Sequence, residues 1–244
     1  PFVAGYDRFG RHGEIDVLAA GRLLLSELSC TACHASDEAP LAPKSGPRLD
    51  GVADRLDERW LRRFLASPQT VKPGTTMPDV LAGIPAVERE TTIAALLAFL
   101  STQHEPWPVL KAGGANPVVH RFWERGNVEN GRRLYHTAGC VACHEADADY
   151  ETAQVKPSPL DELLAQLDPE EIAELGLAAA VRAVNPVPHP DLPAKYSRQS
   201  LTFFLLQPET IRPAGRMPGL KLEPAEAADI AAWLLREQSA PITL

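Results

Sequence analysis

Methionine and cysteine are scarce in this 244-residue chain, which has two of the first and four of the second. Four cysteines cannot supply a dense disulfide framework. No run of 18 or more apolar residues occurs, so no spanning helix is expected. Acidic residues outnumber basic ones by 32 to 24, a net charge of −8, which argues against a nucleic-acid partner because that would want a basic stripe. Paired carboxylates, a serine triad and a phosphate-binding glycine loop are also missing. Pro1 to Gly13 has no apolar core of the kind a secretory signal needs, so the chain reads as a mature protein or as a module of a larger one.

What is present is concentrated. Every cysteine lies in a C-x-x-C-H, Cys30-Thr31-Ala32-Cys33-His34 and Cys140-Val141-Ala142-Cys143-His144. Two thiols at this spacing can bond to the two vinyl groups of one porphyrin while the following histidine reaches the iron, so the spacing is the attachment signal for a c-type haem. Two covalently bound haems are expected. Four-cysteine zinc sites also use C-x-x-C pairs, but their pairs usually lie much closer in sequence than Cys30 and Cys140 do, and they need no trailing histidine.

The two methionines sit in matching surroundings, Pro68-Gln-Thr-Val-Lys-Pro73-Gly-Thr-Thr-Met77-Pro78 and Pro208-Glu-Thr-Ile-Arg-Pro213-Ala-Gly-Arg-Met217-Pro218. A lone methionine is more often core filler, whereas two in register are not. The register identifies an internal repeat. Around the cysteines the offset is 110, pairing Gly21 with Gly131 and Leu24 with Leu134. Around the methionines it is 140, pairing Leu61 with Leu201, Phe64 with Phe204 and Pro68 with Pro208, so the second copy carries 30 extra residues between its histidine and its methionine.

Apolar periodicity predicts helices at 14–29 and 127–138, each delivering a first cysteine, then at 57–66 and 197–206, each ending before a proline. Two apolar helices, 85–102 and 224–238, follow the methionine loops, with proline first and a glutamate (Glu88, Glu226) in the first turn. They place Phe99 and Trp233 at one position, packed on the first helix of their own copy. The class is all-α: a first domain over 1–105, a Pro/Gly-rich linker over 106–117 and a second domain over 118–244 with an insertion at about 145–190. Within the insertion, Asp168-Pro169-Glu170-Glu171 opens a helix reaching about Val184 and read as a packing extension.

The order helix, C-x-x-C-H, Gly-Pro-x-Leu loop, helix, Met-Pro loop, helix resembles the class I cytochrome c domain, twice over, as in a tandem dihaem cytochrome c. The resemblance implies His34 and Met77 as axial ligands of one iron and His144 and Met217 of the other, with Cys30, Cys33, Cys140 and Cys143 as haem anchors. It also implies that a loop proline orients the proximal histidine through its carbonyl. Gly46-Pro47-Arg48-Leu49 fits in the first copy. His189-Pro190-Asp191-Leu192 is the nearest counterpart in the second, with Pro186 and Pro188 as substitutes. Pro47, Leu49, Pro190, Leu192 and Tyr196, the last at the position of Leu56, are the expected further haem contacts.

His and Met together saturate an iron, and a thioether ligand raises the reduction potential relative to a second histidine. The expected function is single-electron transfer between exported redox partners in the bacterial periplasm, with no catalytic residue. Two other readings stay open. One is a dihaem peroxidase or thiosulfate-oxidising enzyme with an exchangeable ligand at the second haem, where His189 could replace Met217; the other is an electron-transfer module of a larger exported dehydrogenase. His12, His104 and His120 read as exposed side chains, His136 as surface or haem-edge packing, and Arg22 and Arg132 as helix-surface charge.

Overall fold

Several helices in this chain begin where a short polar side chain accepts the first free amide protons. The computed structural model describes residues 16–38, 41, 44–111, 118–150, 159–177, 186–189 and 191–236. Asp16 caps at Ala19 (3.0 Å), Asp57 at Arg59 and Trp60 (2.8 and 3.1 Å), Asn127 at Asn130 (2.8 Å) and Ser197 at Ser200 (3.1 Å). The helices in chain order are α1 (Val17–Glu27), α2 (Val52–Arg55), α3 (Glu58–Ala66), α4 (Pro68–Val71), α5 (Ala86–Leu100), α6 (Val128–Thr137), α7 (Pro159–Leu164), α8 (Pro169–Glu174), α9 (Leu192–Lys195), α10 (Arg198–Leu206), α11 (Pro208–Ile211) and α12 (Pro224–Leu234). Helices α2, α3 and α4 recur as α9, α10 and α11, start for start and end for end, in the register that aligns the two methionine loops. Among the described residues the one strand-like pairing is an isolated bridge between His144 and Val187, and no helix is long and apolar enough to cross a membrane.

The chain divides into two units, Pro1–Lys44 with Cys143–Val187 and Ser45–Ala142 with Pro188–Leu244. Each draws on both copies of the repeat. In the first unit α1 leads through Ser29, at φ +60°, into a short 3-10 turn over Cys30–Ala32. Ion pairs join Arg22 to Glu38 (3.2 Å) and Lys44 to Glu27. Asp168 caps α8, and the side chain of Glu171 returns a bond to the Asp168 amide (2.9 Å), which completes a capping box. The helix expected here to run to about Val184 ends at Glu174. Gly176 at φ +68° turns the chain left-handed, a conformation that closes helices. Residues 178–185 lie outside the described part.

The second unit is built on the crossing of α6 and α12. A Cβ on Gly131 would lie 1.9 Å from the Asp229 carbonyl oxygen, and one on Gly126 would lie 2.2 Å from that of Ala228, so the two backbones meet where side chains are smallest. Asp229 also accepts the Asn127 amide (2.6 Å) and the Asn130 side chain, fastening α12 to the positive end of α6. Trp233 packs on Tyr135 with ring centroids 4.5 Å apart, as the periodicity requires. Phe99, its counterpart on α5, is exposed at 63%. The reason lies in how α5 is filled: Ile93 and Leu97 face Leu61 and Leu65 of α3, and Val87, Leu96 and Phe99 occupy other sides of the helix and stay exposed.

The two copies also touch inside this unit. The Asp57 amide donates to the Lys195 carbonyl (3.0 Å) and the Arg48 amide to the Ile211 carbonyl (3.0 Å). The expected linker is partly packed, since Trp107 stacks on Phe203 of α10 at 4.9 Å. Residues 112–117 lie outside the described part.

Candidate haem attachment sites

Both attachment motifs follow a left-handed residue. Gly139, at φ +97°, adopts that conformation without cost in front of Cys140, while Ser29 in front of Cys30 is one of few non-glycine residues to do so. The first motif closes tightly, its Cys33 and His34 amides both donating to the Cys30 carbonyl (3.2 and 3.0 Å). All four thiols are free. Cys140 is buried with Leu134, Tyr135, Tyr196 and Phe204, and burial pushes its thiol pKa up. Cys33, Cys143 and His34 are exposed.

The second histidine has its orienting group. His144 Nδ1 lies 2.9 Å from the Val187 carbonyl oxygen, and the Val187 amide donates to the Cys143 carbonyl at 2.7 Å. A carbonyl can only accept, so Nδ1 carries the proton and Nε2 carries the lone pair, the tautomer a metal ligand needs. The expected donor of this carbonyl was Pro190, or Pro186 or Pro188 in its place; Val187 takes the part instead. Pro190 lies outside the described residues. The offset of 140 that aligns the methionine loops sets Val187 opposite Pro47, and it confines the extra residues of the second copy to the stretch between His144 and Val187.

The methionine loops are held from neighbouring backbone. Gln69 donates to the carbonyls of Thr75 (2.9 Å) and Met77 (3.0 Å). Its counterpart Glu209 instead accepts the Gly219 amide beyond Met217. Arg89 anchors the chain after Met77, donating to Asp79 (2.7 Å), to the Leu81 carbonyl (3.3 Å) and to the Ala66 carbonyl. That pairing holds the Asp79 carboxyl below the usual carboxylate range. Met217 packs against the α6–α10–α12 core.

Among the loop residues, Leu192 packs on that same core, whereas Pro47 and Leu49 are exposed. Leu56 and Tyr196 both end their short helices, at φ −124° and −123°. The Tyr196 hydroxyl accepts from Arg212 (3.2 Å) and is buried, which pushes its pKa up. His189 shares a hydrogen bond of 3.0 Å with the Tyr135 hydroxyl. His136 is not at the surface: it is buried, with Nδ1 on the Arg132 carbonyl (2.7 Å) and its ring against Trp233.

Free thiols at porphyrin spacing and a histidine whose Nε2 keeps its lone pair are of the chemistry that a covalently bound haem requires. Two buried polar atoms, Thr31 Oγ1 and Trp60 Nε1, have no partner among the described residues, as expected where a polar group of a cofactor completes the shell. Residues 128–237 match the cytochrome c family model, so this part of the chain, with its C-x-x-C-H at Cys140, is a cytochrome c domain. The match supports a haem-binding electron-transfer protein. No curated protein and no solved structure matches the chain.

Proposed function

We propose that the chain is a dihaem c-type cytochrome that passes single electrons between exported redox partners. The haem iron, when bound, supplies the one-electron couple. Cys30 and Cys33 anchor the first haem and Cys140 and Cys143 the second, in domains over 1–105 and 118–244 joined by the linker at 106–117. His34 with Met77, and His144 with Met217, are the axial pairs. Such pairs leave no coordination position for oxygen, peroxide or substrate, so the reading favours an electron carrier over an enzyme. Periplasmic location follows from the class, in which attachment is completed outside the bacterial cytoplasm.

The observation that carries the proposal is the Val187 carbonyl on His144 Nδ1. It leaves Nε2 of the C-x-x-C-H histidine with the lone pair a metal ligand needs, which supports the reading in a chain whose two methionines recur in matching contexts after its two attachment motifs. Fixed ligands of this kind keep both oxidation states in one geometry, which suits outer-sphere transfer.

The test is the intact mass of the exported protein together with its absorption spectrum during a redox titration. Two added haems per chain, both low-spin, support the proposal, and Met217→Ala then turns one of the two high-spin. A single haem, or a Met217→Ala protein with an unchanged spectrum, overturns it. Peroxide consumption after half-reduction would mark a peroxidase instead.

A further inference from the structure

The carbonyl that faces His144 belongs to a stiff stretch of chain. Pro186-Val187-Pro188-His189-Pro190 alternates proline with other residues. Proline fixes its own φ and holds the residue before it in extended backbone, so Val187 and His189 are both restricted and a bend between them is costly. Val187 gives its carbonyl to His144 Nδ1 and its amide to the Cys143 carbonyl. Two residues on, the His189 ring meets the Tyr135 hydroxyl, with Nε2 and the phenolic oxygen 3.0 Å apart.

Tyr135 is rigidly placed. It stands on α6 at 1% exposure, the bulkiest of the fully buried side chains among the described residues, with its ring against Trp233 of α12. His189 is exposed, so apolar burial does little to hold it and the polar contact counts for more. The repeat shows that the fold does not require this contact. The offset of 110 sets Tyr135 opposite Leu25 and the offset of 140 sets His189 opposite Leu49, two leucines exposed at 45% and 58%. The second copy alone carries a polar pair at these places.

We propose that Tyr135 and His189 are positioning residues for His144. The buried phenol holds His189, and the proline-stiffened strap carries that constraint to the Val187 carbonyl, which sets the hydrogen bond on His144 Nδ1 and with it the potential of the haem anchored at Cys140 and Cys143. This rests on the haem reading of that one motif and does not involve the motif at Cys30.

A carbonyl that accepts from Nδ1 makes the histidine a more basic ligand. A more basic ligand favours ferric iron, so a loosened carbonyl raises the potential. The test uses the holo protein carrying Tyr135→Phe, His189→Leu or His189→Gln, with haem on the Cys140 peptide read by mass and the potentials by spectroelectrochemistry. The couple of that haem is the one that Met217→Ala displaces. Tyr135→Phe keeps the ring on Trp233 and removes only the hydroxyl; His189→Leu gives the strap the side chain of its counterpart Leu49. Each is expected to move the oxidation equilibrium of that haem toward ferrous iron by about threefold, which at about 59 mV per tenfold for a one-electron couple is about 28 mV. His189→Gln, whose amide can still bond the phenol, leaves it in place. A lowered melt with the potential unmoved marks a merely structural contact and overturns the proposal, as does an equal movement of a second couple in the chain. Absence of haem from the Cys140 peptide overturns the reading on which the proposal stands. His189→Leu, at an exposed side chain, carries the test should Tyr135→Phe not fold.

Discussion

Replacing Gly131 by alanine puts a methyl group where α6 and α12 touch. The added Cβ would sit 1.9 Å from the Asp229 carbonyl oxygen and 3.0 Å from the Ile230 nitrogen. Ordinary contact begins at about 3.4 Å, and both neighbours are backbone, so no flexible side chain can move aside. The helices must part by roughly 1.5 Å, which loosens Trp233 from Tyr135 and strains the Asn127 bond to Asp229. Overpacking of a well-packed core costs about 1–3 kcal/mol. The loosened aromatic contact adds about 1 kcal/mol, and the better helix propensity of alanine returns about 1 kcal/mol. A net loss of about 2 kcal/mol lowers the midpoint of thermal unfolding by roughly 4–8 °C for a domain of this size. Far-UV circular dichroism of the holo protein during heating reads it directly. Gly126→Ala, whose Cβ would meet the Ala228 carbonyl oxygen at 2.2 Å, should behave the same way. A Gly131→Ala midpoint within about 2 °C of the parent would refute the argument that this crossing is closed to a methyl group.

Val187→Pro removes the amide that donates to Cys143 and should cost about 1 kcal/mol in thermal unfolding, whereas, on the proposed dihaem reading, Pro190→Ala should leave the potential of the haem ligated by His144 unmoved; a shift with Pro190→Ala would give that proline the orienting role in place of Val187. Tyr135→Phe deletes the bond to His189 and should lower stability by about 1 kcal/mol, read by the same melt. Asp79 has a pKa held below its ordinary 3.8 by Arg89, so its contribution is complete above that value and is lost as pH falls through the folded pKa. Acid unfolding of Arg89→Met should lack this component below about pH 4, and an unchanged acid profile would count against the pairing.

How much of this could be read beforehand depended on whether side chains or main chain carried the signal. Asp57, Asn127 and Ser197 announced their helices because a capping side chain is a residue type at a position. The repeat placed Trp233 correctly because small residues along α12 (Ala227, Ala228, Ala231, Ala232) let it approach α6. Phe99 has no such setting: Ile93 and Leu97 turn toward α3, and its own side of α5 stays exposed. Spelling alone could not single out Val187, because the group that faces His144 Nδ1 is a backbone carbonyl, which every residue possesses. Only the register of the methionine loops distinguishes Val187, whereas the Pro-x-Leu spelling points to Pro190.

The bond pair joining Val187 to Cys143 and His144 spans 43 residues of sequence. It closes a loop at its two ends. Length inside such a loop is thermodynamically cheap: shortening 43 residues to the 13 that separate His34 from Pro47 would change the closure entropy by only about 1 kcal/mol. The histidine is aimed by bonds at the two ends of this loop, so the number of residues between them can change without altering that aim.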